Sequence, residues 1–379
     1  MTSEFAKDLD SKVPRLLQEL SLPGIAIALI EGCQVQSVRC YGFANKERQE
    51  PLGEHHRFRL ASISKPVTCW GVMTLVERGL LDLDAPVDNY LTRWHLPTEG
   101  IDPEGITARG LMSHSAGLAA GGGSGVNPDY PIPSLLDTLS GKVTPPLDEN
   151  QRAYYEHVGL ELEEVLRPLT IIARPGEQYV YSNSSYGLLQ LLIEDISGQS
   201  FCDYMRQFVF EPLGMHSSGF EHPVTVEDFA TPYDDEGIAI PIYHLVAKAA
   251  GGMNATIGDL ARFTCAEMRG PAGEPAGREA LTEDSVTLMH TPIMYAESEM
   301  GFDFHTGLGH LISEIDGMTN VHHTGGFAGW RSVMSFNPSR GDGFVALINS
   351  DGGNPLWMQL IRDWGESLGQ VLESQDDKG

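Results

Sequence analysis

Ser62 and Lys65 stand three residues apart, the one Ser-x-x-Lys spacing in this chain. A serine hydroxyl is a weak nucleophile at neutral pH until a neighbour takes its proton. The segment 62–79 reads as a helix, because Ile63, Val67, Trp70, Met73, Leu75 and Val76 recur at helical spacing. Positions i and i+3 share a helix face, so Lys65 can reach the Ser62 hydroxyl. Lysine acts as a base only when burial or a nearby cation lowers its pKa, and the apolar neighbours supply burial. A helix start also aims backbone N–H groups at negative charge developing on the nucleophile.

Two distant segments carry the other groups that acyl transfer needs. Tyr181-Ser182-Asn183 follows a turn at Arg174-Pro175-Gly176-Glu177 and precedes a helical run from Tyr186. Tyr181 and Asn183 project to one side of an extended segment. The phenol can relay a proton if nearby cations depress its pKa. The Asn183 amide can hold Lys65 with its oxygen and a substrate amide with its nitrogen. Taken alone, Ser182, Asn183 and Ser184 would favour a helix cap over a site role. His323-Thr324-Gly325-Gly326 sits between strand-like runs. His323 can bind a substrate carboxylate or hydroxyl if protonated, or polarise the Tyr–Lys network if neutral. The glycines let backbone and substrate approach closely, and the Ser62 and Gly326 N–H groups can form an oxyanion hole. Taken alone, Gly325-Gly326 would equally suit the turn of a hairpin.

In this order the three motifs resemble the serine β-lactamase and penicillin-binding protein superfamily. The likeness is to its class C branch, which includes class C β-lactamases, DD-peptidases, related esterases and D-aminopeptidases. Phe58-Arg59-Leu60-Ala61-Ser62-Ile63-Ser64-Lys65-Pro66 is similar to that family's nucleophile segment. Gly79-Leu80-Leu81-Asp82-Leu83-Asp84-Ala85-Pro86-Val87 and Leu111-Met112-Ser113-His114-Ser115-Ala116-Gly117-Leu118 resemble the stretches that follow it. Pro212-Leu213-Gly214-Met215, Ala250-Gly251-Gly252-Met253 and Gly307-Leu308-Gly309 also fall where the family has them. The resemblance implies that Ser62 is acylated and that Lys65 and Tyr181 share acid/base work. It implies that Asn183 positions substrate and Lys65, that His323 fills the third-motif position, and that Gly326 offers the second oxyanion N–H beside Gly325. Many relatives carry Lys where this chain has His323. Lysine keeps a permanent charge for a β-lactam or peptide carboxylate, whereas histidine keeps it conditionally. That departure, together with the absence of a leader pattern and the odd set of cysteines, puts ester cleavage first. D-residue peptidase or amidase action, β-lactam turnover, acyl transfer to an alcohol or amine, and a slowly turning-over penicillin-binding sensor follow it.

The elements that must position these groups are legible in outline. Phe5, Leu9, Val13, Leu16 and Leu20 form a helical stripe, and 25–30 and 35–41 read as strands joined at Glu31-Gly32. Strands return at about 308–315, 319–324, 331–336 and 343–349. Leu356, Leu360, Trp364 and Leu368 mark a last amphipathic helix, and 373–379 reads as a solvated tail. The expected fold class is α+β and β-lactamase-like, an antiparallel sheet flanked by helices plus a mainly helical region. Residues 1–60 and 300–379 would form the sheet part and 61–299 the helical part, with the site at the seam. The segment 119–159, rich in Gly and Pro and carrying Tyr154 and Tyr155, would either wall the pocket or form a surface insertion.

Composition narrows the class. The 379 residues carry 52 Asp+Glu against 25 Lys+Arg, a formal charge of −27. That balance argues against nucleic acid and anionic membrane surfaces as partners; the resemblance implies a small-molecule ester, amide or β-lactam as the partner. The start Met1-Thr2-Ser3-Glu4-Phe5 shows no secretory signal pattern, and no apolar run reaches the length of a membrane span. Five cysteines, Cys33, Cys40, Cys69, Cys202 and Cys265, form an odd set without metal-like spacing, which points to reduced thiols and a cytoplasmic setting. Ser113-His114-Ser115-Ala116-Gly117 mimics a nucleophile elbow but lacks its first glycine. His55-His56 and His322-His323 are adjacent pairs whose side chains are expected to diverge, so neither a metal nor a cofactor is expected.

Overall fold

The computed structural model describes residues 2–97, 103–121, 125–144, 146–157, 159–222, 228–297, 303–315 and 317–376, with side chains from Phe5 to Ser367. Nine strands build its sheet: β1 (Gly24–Glu31), β2 (Gln34–Asn45), β3 (Glu50–Pro51), β4 (Met294–Ala296), β5 (Phe304–Thr306), β6 (Leu311–Ile315), β7 (Met318–Phe327), β8 (Trp330–Asn337) and β9 (Asp342–Ile348). They lie in the order β3-β2-β1-β9-β8-β7-β6-β5-β4. Every neighbouring pair is antiparallel. The sheet therefore joins the two ends of the chain, and β1 and β9 meet at its centre with Ile25 opposite Ile348.

Side-chain alternation explains why both faces are covered. Ile25, Ile27 and Leu29 of β1, with Phe344, Ala346 and Ile348 of β9, bury against α1 (Thr2–Lys7), α2 (Leu9–Glu19) and the last helix. Their alternates Ala26, Ala28, Ile30, Val345 and Leu347 face the helical region. With a side-chain period of two, a one-residue slip would exchange these two sets.

The main helix of that second layer is α3 (Ser64–Glu77), and every residue from Ser64 to Leu75 is buried. A helix buried on all sides has no polar stripe to orient it, so specific bonds at its start do so. A short ladder pairs Arg57–Arg59 with Asn254–Thr256. The Leu60 N–H donates to the Met253 carbonyl (2.9 Å), and the Met253 N–H donates to Ser64 Oγ (2.9 Å). From the sheet side, Ser332 Oγ of β8 donates to the Leu60 carbonyl (2.7 Å).

The further helices used below are α4 (Glu149–His157), α5 (Asn183–Ser197), α6 (Lys248–Gly251), α7 (Ile257–Ala266), α8 (Glu283–Met289) and α9 (Asn354–Asp376). Several expectations need correction. Ser62 lies in a 3-10 turn, Ala61–Ile63, ahead of α3 rather than inside the helix. Gly325-Gly326 lies within β7, and the hairpin turns at Ala328-Gly329, where Gly329 takes φ +81°. The left-handed geometry there suits a residue without Cβ. The last helix continues to Asp376, through part of the expected tail, while 377–379 lie outside the described residues. The short strands β3, β4 and β5 lacked a readable pattern because two or three residues cannot display a period.

Candidate active site

The turn that presents Ser62 is held on both sides, and its geometry is strained. Ala61, the residue before it, adopts φ +46°. That left-handed conformation costs a non-glycine residue about 1–2 kcal/mol and persists where the surroundings over-determine it. Here the bonds around Leu60, Ser64 and Met253 do so.

Lys65, fully buried, brings Nζ to 3.1 Å from Ser62 Oγ. Nζ also donates to Asn183 Oδ1 (2.8 Å) and to the Ala250 carbonyl (2.8 Å). Burial pushes the Lys65 pKa well below the usual lysine value. Both further partners only accept, so a neutral amine spends its two N–H groups on them. Its lone pair is then left for the Ser62 hydroxyl. Tyr181 completes the chain, since its O–H donates to Ser62 Oγ at 2.8 Å.

The Tyr181 environment differs from expectation. Burial raises its pKa, and no neighbouring cation offsets the rise. Lys65 Nζ sits over the ring face, 4.7 Å from its centre, rather than beside the oxygen. The phenol is thus a neutral donor. Ser182 caps α5 by accepting from the Ser185 N–H, so the capping and site readings of this segment hold together.

His114 holds the tyrosine in place. Its carbonyl accepts from the Val180 N–H (2.9 Å), and its Nδ1 accepts from the Ser182 N–H (3.0 Å). Its ring lies 4.4 Å from that of Tyr181 at 31°. Burial, then Lys65 and His323, pushes its pKa well down, so the ring is neutral. Sequence reasoning noticed His114 within a family-like stretch and as part of a false elbow, without giving it a role. The Ala250 carbonyl was missed altogether, because a backbone acceptor has no side-chain signature.

β7 brings the third motif against the nucleophile turn. A Cβ on Gly325 would stand 2.3 Å from the Leu60 carbonyl oxygen, 2.3 Å from Ser332 Oγ and 3.0 Å from the Ser62 nitrogen. Only glycine lets the strand lie this close. Gly326, by contrast, is exposed. His323 is buried, and its Nδ1 faces the Thr324 carbonyl at 2.7 Å. A carbonyl only accepts, so Nδ1 carries the proton. Burial, then the neighbouring Lys65, pushes the His323 pKa down to about 3. Of the two roles considered for His323, the charged one is disfavoured at neutral pH.

Part of the 119–159 segment reaches this strand end. From α4, the Tyr154 hydroxyl lies 3.5 Å from where a Gly326 Cβ would sit. Its ring packs against Phe327 (6.2 Å) and under the Arg331 guanidinium (5.5 Å). Gly122, Gly123 and Ser124 of its glycine run lie outside the described residues. His55 and His56 do not diverge as expected: their rings stand 4.1 Å apart, and His56 bonds Glu50 and Gly53.

The Beta-lactamase family profile matches residues 9–364. The chain belongs to that family. It is 27% identical over 354 residues to "Penicillin-binding protein 4*" of Bacillus subtilis, covering 88% of this chain and 69% of that one. It is 29% identical over 250 residues to "Esterase EstB" of Burkholderia gladioli, covering 63% of this chain and 60% of that one. Among solved structures, an octameric penicillin-binding protein homologue from Pyrococcus abyssi aligns with TM-score 0.73 and 25% identity, over 97% of this chain and 77% of that one. This Beta-lactamase family member is a serine hydrolase, and its fold is the α+β, β-lactamase-like one expected. Its substrates fall in the broad class of esters and amides. Among the described residues no helix is long and apolar enough to cross a membrane.

Proposed function

We propose that this chain cleaves carboxylic esters through an acyl-enzyme on Ser62. Lys65, neutral through burial, takes the Ser62 proton as the hydroxyl attacks the carbonyl carbon. The Ser62 and Gly326 N–H groups hold the oxyanion of the tetrahedral adduct, and Gly325 lets them stand together. Tyr181 donates its proton to the leaving oxygen as the C–O bond breaks, and the proton that Lys65 took from Ser62 returns to the phenolate through a water. Water then attacks the acyl carbon by the reverse proton path. Asn183 fixes the Lys65 amine, and His323 lines the site as a neutral group.

The observation that carries the ester preference is the uncharged third-motif position. A β-lactam or peptide substrate brings a carboxylate that a cation would hold there, and His323 supplies none at neutral pH. The 29% identity with an esterase supports the same reading. Amide or β-lactam cleavage is the second reading, favoured by the relative named as a penicillin-binding protein. All five cysteines are unpaired, which supports work in a reducing compartment such as the cytoplasm. One experiment separates the readings. The protein is mixed with short-chain p-nitrophenyl esters and, separately, with benzylpenicillin, with intact mass and product followed. Ester turnover that disappears in Ser62→Ala supports the proposal. A lasting penicillin adduct or rapid lactam opening, with slow ester turnover, moves the assignment to β-lactam chemistry. Ester turnover surviving in Ser62→Ala removes the site assignment.

A further inference from the structure

Away from Ser62, three residues distant in sequence converge. Glu267 follows α7, His290 follows α8 and His310 precedes β6. Their donor atoms all lie within 4.8 Å of one another. Glu267 Oε2 is 2.9 Å from His290 Nε2, and Oε1 is 3.0 Å from His310 Nε2. Glu267 and His310 are fully buried, whereas the His290 side chain keeps 11% of its exposure.

We propose that Glu267, His290 and His310 form a three-ligand site for a first-row divalent cation, Zn²⁺ in the simplest case. Two imidazoles and one carboxylate suit that class of ion, whereas Ca²⁺ and Mg²⁺ favour oxygen ligands throughout. A tetrahedral centre with bonds of about 2.0–2.1 Å sets its ligand atoms roughly 3.3 Å apart. The two Glu267–histidine distances of 2.9 and 3.0 Å would open by a few tenths of an ångström, and any wider pair, up to the 4.8 Å bound, would close onto the ion.

The outer contacts fit the same assignment. His310 Nδ1 donates to the Leu308 carbonyl (3.0 Å), which aims Nε2 at the cluster. Trp70 Nε1 of α3 donates to Glu267 Oε1 (2.9 Å), fixing the carboxylate. Backbone-oriented imidazoles and hydrogen-bonded carboxylates are the usual outer shell of a metal centre. Ligation through Nε2 leaves each imidazole neutral with its one ring proton on Nδ1, where His310 already faces the Leu308 carbonyl. A cleft of about 460 Å³ bordered by Glu267, His290, Cys33 and Arg340 gives a path in and room for a water as fourth ligand. So placed, the ion would tie α3, α7 and α8 to the start of β6.

The test is cobalt titration of chelator-dialysed full-length protein, followed by visible absorption. The expected result is a one-to-one saturating d–d spectrum, displaced by Zn²⁺, with a rise in Tm. His290→Gln keeps a donor toward Glu267 and retains the folded near-ultraviolet spectrum, yet binds at least 100-fold more weakly. Glu267→Gln gives the same loss if it folds. Absence of saturable binding to the folded wild-type protein overturns the proposal, and so does undiminished binding in His290→Gln. Either result leaves the cluster as a buried ion pair.

Discussion

Tyr181→Phe separates the two proton carriers of the proposed mechanism. The substitution removes one O–H and nothing else. The ring contact with His114 at 4.4 Å stays, and so does the 3.1 Å approach of Lys65 to Ser62. Loss of the 2.8 Å bond to a half-buried Ser62 should cost about 0.5–1.5 kcal/mol of stability. The catalytic effect should depend on the leaving group. Burial raises the Tyr181 pKa, so the phenol is protonated and enters the acylation step, which kcat/KM reads, as an acid rather than a base. A p-nitrophenolate departs without protonation, and kcat/KM for p-nitrophenyl esters should fall less than about tenfold. An alkoxide needs the proton, and general-acid assistance is typically worth 10²–10⁴-fold. At 1.36 kcal/mol per tenfold, that is about 2.7–5.4 kcal/mol of barrier. The assay compares p-nitrophenyl acetate, followed by absorbance, with ethyl acetate, followed by pH-stat, in wild type and variant. Equal losses on both esters would mean that Tyr181 is the base or only a positioner. No loss on the alkyl ester would refute its role as donor.

The acid limb of kcat/KM belongs to Lys65. Activity should rise with pH through a pKa well below the usual lysine range, and Lys65→Arg, permanently charged, should lose about 10³-fold or more. A limb that persists unchanged in an active Lys65→Arg enzyme would exclude lysine as base. Folding stability should drop in acid for a related reason. His323, with its pKa lowered to about 3, binds a proton more readily unfolded than folded. Between roughly pH 6.5 and 3 its contribution is therefore lost as pH falls, by on the order of a few kcal/mol. Urea midpoints at pH 7 and 4.5 should show a shallower slope in His323→Gln, and an unchanged slope would contradict its burial in the neutral form. Gly325→Ala forces a Cβ to 2.3 Å from backbone oxygen and should destabilise by about 1–3 kcal/mol while removing most activity. In Gly326→Ala, where nothing lies nearer than the Tyr154 hydroxyl at 3.5 Å, melting temperature should hardly move; a similar Tm loss in both variants would show that the clash is not the cause.

What was legible from residues alone was whatever a short stretch of chain encodes. Ser62 and Lys65 are three apart, so local geometry brings them to 3.1 Å with no knowledge of the fold. The apolar runs in 25–30 and 343–349 read as strands, and they are continuous rather than alternating because both faces of the sheet are covered. The motif order in 58–66, 181–183 and 323–326 carries the family resemblance, and the family profile agrees. Tertiary structure decided everything that depends on what approaches from elsewhere. Lys65 is neutral because α5, α6 and the sheet enclose it, and its bonds reach Asn183, 118 positions away, and the Ala250 carbonyl, 185 away. His323 is one type of residue with two possible charges, and burial beside Lys65 selected the neutral one. Gly325 proved to be a contact position inside a strand rather than a turn, because the space it leaves is filled by Leu60 and Ser332. The Glu267–His290–His310 cluster had no sequence spacing to betray it, since three separate element ends meet only when the helical region packs against the sheet. Sequence spacing encodes which groups can act locally. Packing sets their charge and their company, because desolvation and long-range contacts exist only in the folded chain.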